Sequence, residues 1–330
     1  AASLAPSSLK AAGEVARVAE AIGRSPELPD VARAIVARLM DRTWRALRAG
    51  ELFAELLDAR PELAGLGALY APFHRYGLVH EGTVARLSRL WGTDVEHGLP
   101  PPTRTTSPLA SSARPARGQQ PARRPSHLTP ARASDPAFEP SRLTPARAPH
   151  PPVRPSRLPP ARASEPRIRI ADDAAFVLAL SLLDARRALG VPAGEGRAAG
   201  LLARTLLGRC HPGPADAAFV SSVAHAALFA TDCGARPHAV PADARAHLRA
   251  RGPAWLGECR DRGDLDAWAE LVIALACVGE EAVAGDAEAV LRGAQRADGS
   301  LPGHPPHAYH ATLTAALASF AVTTGLRRTK

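Results

Sequence analysis

Four residues stand out as candidates for chemistry: His74, His225, Asp232 and His310. His225, Phe229 and Asp232 fall at i, i+4 and i+7 of one expected helix, 214–231, and so share a face. At ~1.5 Å of rise per residue, His225 and Asp232 stand roughly 10 Å apart along its axis. Asp232 comes just before Cys233-Gly234, at a helix C-terminus whose dipole disfavours a carboxylate. An acid in that place requires an outside partner: an arginine, a histidine or a ligand. His310 falls in the first turn of another helix, where the dipole favours neutral imidazole, the form that serves as base or metal ligand. With His74, these groups would supply a base, an acid and an orienter in a central cavity. The plainer alternative makes each histidine a hydrogen-bonded tie inside a helical core, because buried polar groups pair readily.

The metal and cofactor readings are weaker. His304, His307 and His310 recur every three residues, but Pro305 and Pro306 interrupt that run. The four cysteines, Cys210, Cys233, Cys259 and Cys277, form no CxxC pair, so no zinc ribbon is signalled. Asp264-Leu-Asp266-Ala267 lacks the last acid of a D-x-D-D proton donor. Asp172-Asp173 is followed by Phe176 where a diphosphate-binding D-D-x-x-D would place its third acid. No Walker A loop, G-x-S-x-G elbow, H-E-x-x-H motif or G-x-G-x-x-G turn is present. No metal or cofactor is expected.

The elements that must position these residues are helices. In 8–92, Val31, Ile35, Leu39, Met40, Trp44 and Leu47 recur at helical spacing, followed by Leu52, Phe53, Leu56 and Leu57. A third helix reaches its stop at Pro72, and a last one ends near Trp91. Further helices are expected from Asp172 to Leu189 and at 196–207, 214–231, 241–251, 264–278, 281–296 and 307–324. Strand signals are nearly absent.

Between these parts, 99–167 holds 18 prolines and 12 arginines against three acids, a charge of +9 that equals the net charge of the chain. Pro125–Ala133 returns at 140–148 and 155–163, a period of 15 residues with one leucine per unit. That apolar content is too small to offset ordering entropy, so a disordered linker is expected. The remaining 261 residues are near neutral and able to bury a substantial core.

Gln295-Arg-Ala-Asp298-Gly299-Ser300 resembles the repeat turn of α/α-toroid proteins, the terpenoid-cyclase and prenyltransferase architecture, in which the glutamine and the acid tie neighbouring hairpins together. More widely, the chain resembles an uncharacterised actinobacterial family of toroid-like helical proteins, a domain of unknown function. That resemblance rests on Tyr70-Ala-Pro-Phe-His74-Arg-Tyr-Gly-Leu78, Ala224-His225 through Asp232, Glu270 through Cys277, and Tyr309-His310-Ala-Thr312-Leu313. It implies a fold without an established reaction.

The expected fold is therefore all-α: a toroid-like barrel or array with helical parts 1–98 and 168–330 packing together and the linker 99–167 between them. Of the 41 basic residues 39 are arginine, and asparagine is absent, a skew that GC-rich coding produces without selection for nucleic acid. No apolar run reaches the roughly 20 residues of a membrane span, and no secretory leader is read, so a cytoplasmic protein with reduced thiols is expected. The function expected is binding of a peptide or an apolar small molecule as an accessory or scaffold protein. The alternative is a cyclase-like enzyme of specialised metabolism using the His/Asp set.

Overall fold

The structure, a computed structural model, describes residues 6–92, 170–192, 194–213, 215–280, 282, 286–302, 308–324 and 326. The expected linker, 99–167, lies outside the described residues. Twelve α-helices are found among them, and no strand. In chain order these are α1 (Pro6–Gly23), α2 (Asp30–Ala46), α3 (Glu51–Ala59), α4 (Gly67–Arg75), α5 (Glu81–Gly92) and α6 (Ile170–Ala188). They continue as α7 (Glu195–Leu202), α8 (Ala217–Ala230), α9 (Ala242–Asp261), α10 (Leu265–Cys277), α11 (Ala287–Ala294) and α12 (Ala308–Thr324). The all-α expectation holds.

Six of these helices pack in a closed ring, α1 on α4, then α6, α8, α10, α12 and back to α1. Three others flank it: α2 lies on α1, α9 on α10 and α11 on α12. Composition explains the division. In α8 and α10 the buried positions run round the helix, from Phe219 to Ala230 and from Ala267 to Cys277, as a helix covered on all sides requires. Helix α2 buries only Val36, Met40 and Trp44. Val31, Ile35 and Leu39, expected on its core face, are exposed, because that face is set by the Val36–Met40–Trp44 row one residue round.

The ring helices run parallel. Near the N-terminal ends of α10 and α12, His310 donates to Asp266 (2.9 Å), and Tyr309 of α12 donates to Glu14, midway along α1 (2.9 Å). Past the C-terminal ends, Arg24 after α1 meets Asp232 after α8 (2.9 Å), and in the last turns Arg75 of α4 meets Asp184 of α6 (2.6 Å). Gly234, at φ +83°, sits so close to Leu326 that an added Cβ would stand 2.7 Å from the leucine's own.

Two prolines lie inside helices: Pro72, expected as a stop, and Pro253, beyond the end expected for the 241–251 helix. Pro72 is within α4, where it cannot donate to the carbonyl of Ala68. Arg17 of α1 donates to that oxygen instead (2.7 Å), which lets the helix run on to Arg75. Helix α9 passes through Pro253, and Arg249, whose carbonyl loses its partner there, is exposed. Conversely, α7 stops at Leu202 rather than 207. Asp173, fully buried, takes the Leu206 amide (2.6 Å), and Thr205 donates to the Leu202 carbonyl (2.7 Å).

Candidate functional site

The ring encloses a cavity of about 440 Å³ to which all six of its helices contribute. Its walls are mainly apolar, with Val18, Leu69, Leu178, Phe229, Ile273 and Leu317 among the lining residues. Polar groups gather on one wall as three i, i+4 pairs from adjacent helices: Ser221 and His225 on α8, Asp266 and Glu270 on α10, His310 and Thr314 on α12.

His310 Nδ1 lies 2.9 Å from both oxygens of Asp266, and Thr314 donates to Asp266 Oδ1 (2.8 Å). The hydrogen bond and charge of Asp266 raise the imidazole above its ordinary value in spite of burial. This corrects the expectation of a neutral ring: the carboxylate outweighs the helix N-terminus. Burial works to raise Asp266, but the hydrogen bond and charge of His310, with the bond from Thr314, hold it below the usual carboxylate range. The contact thus favours the imidazolium and the carboxylate together.

Glu270 is 6 % exposed and 3.9 Å from His310 Nε2, too far for a hydrogen bond. Burial, reinforced by the charge of Asp266, pushes its carboxyl up to about 8, so at neutral pH it keeps its proton. Ser221 donates toward its Oε1 (3.4 Å). His225 places Nδ1 2.7 Å from the Ser221 carbonyl oxygen, which only accepts, so the ring proton sits on Nδ1 and Nε2 is the bare acceptor. Burial lowers this imidazole and keeps it neutral. The wall thus holds a charged and a neutral imidazole beside a protonated acid, the pattern of separated states that marks acid–base groups.

The cavity's other ions already have partners. Glu14 accepts from Tyr309 and pairs with Lys10 (3.5 Å). Arg17, besides its bond to Ala68, lies 3.6 Å from Asp184 and 4.8 Å above the Phe229 ring.

Of the four residues singled out in the sequence, His225 and His310 line this cavity. Asp232 is bound elsewhere, in an ionic cluster at the C-terminal ends of the ring helices. There Arg24 (2.9 Å) and Arg75 (3.5 Å) reach it, Glu20 pairs with Arg24, and Arg187 lies 3.7 Å from Asp184. The outside partner that its position requires is arginine. With φ +54°, Asp232 also occupies the left-handed region, a strained conformation that this cluster holds in place. His74 packs against Tyr70 (ring centroids 6.4 Å apart) and is not among the lining residues.

The carboxylates beside the two histidines, Asp266 and Glu270, were missed as site residues. The available signal was the i, i+4 polar pair on an otherwise apolar helix. The Gln295–Ser300 turn closes on itself: Gln295 donates to the Gly299 carbonyl (2.8 Å) and Asp298 accepts from the Ser300 amide (2.9 Å). Its link to the next helix is made by the Leu301 amide, which donates to Thr312 (3.1 Å). His304 and His307 lie outside the described residues. Among the described residues no group of three or more His, Cys, Asp and Glu is placed to hold a metal ion, and no helix is long and apolar enough to cross a membrane.

A family model described as a domain of unknown function (DUF6895) matches residues 2–132 and 161–320. The chain belongs to that family. No curated protein and no solved structure matches it.

Proposed function

We propose that this member of a family of unknown function binds a small apolar molecule in the cavity of its helical ring. The single observation that carries the reading is the cavity itself: about 440 Å³, walled mainly by apolar side chains from six helices and the 62–66 segment, with His225, Glu270, His310 and Thr314 side by side on three neighbouring helices. That volume is in the range of drug-sized ligands, which favours a small molecule over a peptide. The closed ring supports the α/α-toroid likeness of the sequence. Free thiols at all four cysteines support a reducing compartment such as the cytoplasm.

Thermal unfolding with and without decalin, an apolar bicyclic probe, tests the reading. Binding at a hundred times the dissociation constant stabilises by about 2.7 kcal/mol. Ala224, 5 % exposed on the cavity wall, gives the control: Ala224→Phe fills the space and abolishes the stabilisation. A wild-type protein that decalin never stabilises, up to its solubility limit, contradicts the proposal.

A second reading, an acid–base enzyme of the cyclase-like kind, is favoured by the Asp266–His310 pair beside protonated Glu270. In that reading His225 is the base, and the acid is Glu270 or His310 rather than Asp232. Exchange of a ligand's C–H hydrogens with deuterated water, lost in His225→Gln, tests it.

A further inference from the structure

We propose that the cavity's ligand is a neutral apolar carbonyl compound whose oxygen accepts hydrogen bonds from both the His310 ring and the Glu270 carboxyl. This inference rests on the cavity being a small-molecule site and adds the chemistry of the ligand.

The geometry supplies two donors and leaves them unjoined. Asp266 occupies His310 Nδ1 and favours the ring's doubly protonated form, in which Nε2–H is the remaining donor. The nearest Glu270 oxygen is 3.9 Å from it, so the two groups are neighbours without satisfying each other. One oxygen seated beside the pair accepts from both at ordinary lengths of ~2.8 Å. Both groups line the same cavity and come from neighbouring helices, which fixes their spacing.

Charge selects the class of ligand. Asp266 and His310 cancel, and Glu270 and His225 are uncharged at neutral pH, so the wall is neutral overall. Lys10 is paired with Glu14, and Arg17 donates to the Ala68 carbonyl and shares Asp184 with Arg75 and Arg187. An ammonium ligand would enter an apolar space whose carboxylates are already paired, and a carboxylate would give up its hydration for a wall that is neutral overall, whereas a carbonyl dipole needs only donors. His310 also lies in the first turn of α12, whose dipole favours negative charge growing on a ligand oxygen.

The groups facing Glu270 are Asp264 and Asp266 on its own helix or cap, Ser221 and His225 on α8, and His310 and Thr314 on α12. Glu14 and Arg17 of α1 line the same cavity. Among them Asp264 and Asp266 oppose ionisation of Glu270 and His310 favours it.

The test uses four probes of one bicyclic frame on the full chain: 2-decalone, 2-decalylamine, decalin-2-carboxylate and decalin. At neutral pH 2-decalone binds at least about tenfold more tightly than the other three, the equivalent of one charge-assisted hydrogen bond. Its bound carbonyl stretch moves to lower frequency. Its affinity falls as pH rises through about 8, where Glu270 ionises, and Glu270→Gln, whose amide donates at any pH, removes that part of the fall and leaves only the part due to His310. Should Glu270→Gln fail to fold, the wild-type ranking and the infrared shift still decide. Tightest binding by the amine, or an unshifted carbonyl stretch, overturns the inference. Equal binding of decalin and decalone also overturns it, but leaves the apolar-cavity reading intact. Failure of all four probes to bind overturns both.

Discussion

Replacing Glu270 with glutamine makes a cost hidden in the fold measurable. An unfolded glutamate titrates near 4.5, and the folded carboxyl near 8. The folded state therefore holds a proton that the unfolded state releases between those values. The sign follows from linkage: stability is greatest below about 4.5, falls as pH rises through the window, and is level above about 8. A difference of 8 − 4.5 units at about 1.36 kcal/mol per unit sets an upper bound near 5 kcal/mol. Relief of repulsion from Asp266 and loss of attraction to His310 both accompany the substitution, so about 3–5 kcal/mol is expected. Glu270→Gln should thus be more stable than the wild type by that amount at roughly pH 9, and within ~1 kcal/mol of it at roughly pH 5. Urea unfolding followed by circular dichroism across this range gives both curves. His310 adds a slope of its own. Its raised imidazole contributes stability that is complete below its unfolded value of 6.5 and is lost as pH rises through the folded one, so the variant's curve still declines, but less. Two parallel curves would refute the reasoning, because they would mean that Glu270 titrates alike in both states.

Two further substitutions probe the frame around the site. Asp184, 1 % exposed, accepts from Arg75 and faces Arg17 and Arg187, so Asp184→Asn leaves buried guanidinium charge uncompensated and should cost about 3–5 kcal/mol in urea unfolding; a loss below ~1 kcal/mol would show the cluster to be incidental. Pro72→Ala restores the amide that α4 lacks, and Arg17→Met should then cost about 1 kcal/mol less than in the wild-type background; an unchanged cost would show that Arg17 is not replacing the missing donor.

Helical periodicity made the element type legible nearly everywhere, since an apolar row at three and four residues has no other stable reading. It located the helices better than their ends or faces. Pro72 looks like a stop because the sequence does not show that Arg17, 55 positions away, will serve Ala68. The α7 end is equally remote in cause, since Asp173 diverts the Leu206 amide. In α2 two apolar rows compete, and only packing against α1 decides that Met40 goes in and Leu39 stays out. For the site, helix-terminus electrostatics correctly implied that Asp232 has a cationic partner, yet the same logic misjudged His310. A dipole acts with about half a charge, whereas Asp266 brings a full one within hydrogen-bond distance. Glu270 escaped notice because a single acid in Glu270–Cys277 resembles a helix-surface residue until its burial is known.

The parallel ring also explains how charge is distributed over the described residues. Six aligned helices place six positive dipole ends together and six negative ends together, each worth about half an elementary charge. At the N-terminal side the structure sets acids: Asp266 and the capping carboxylates Asp216 and Asp264, which accept from the Phe219 and Ala267 amides. At the C-terminal side it sets guanidinium groups. Arg24 donates to the Asp232 carbonyl and Arg236 to that of Ala230, both at the end of α8, while Arg75 donates to the Asp184 carbonyl in α6. Arg17, Arg24, Arg75, Arg187 and Arg236 outnumber Glu20, Asp184 and Asp232 there, and carbonyl oxygens of Ala68, Asp184, Ala230 and Asp232 accept from four of them. The excess of arginine at this end therefore does not require a bound anion. It also ties α1 and α4 to α6 and α8 at the end opposite the Asp266–His310 pair, so the polar wall is held on helices whose relative positions are fixed independently of any ligand. That separation is why Asp184→Asn should reduce stability while leaving the proton states of Glu270 and His310 unchanged, and why Glu270→Gln should alter the pH profile without loosening the ring.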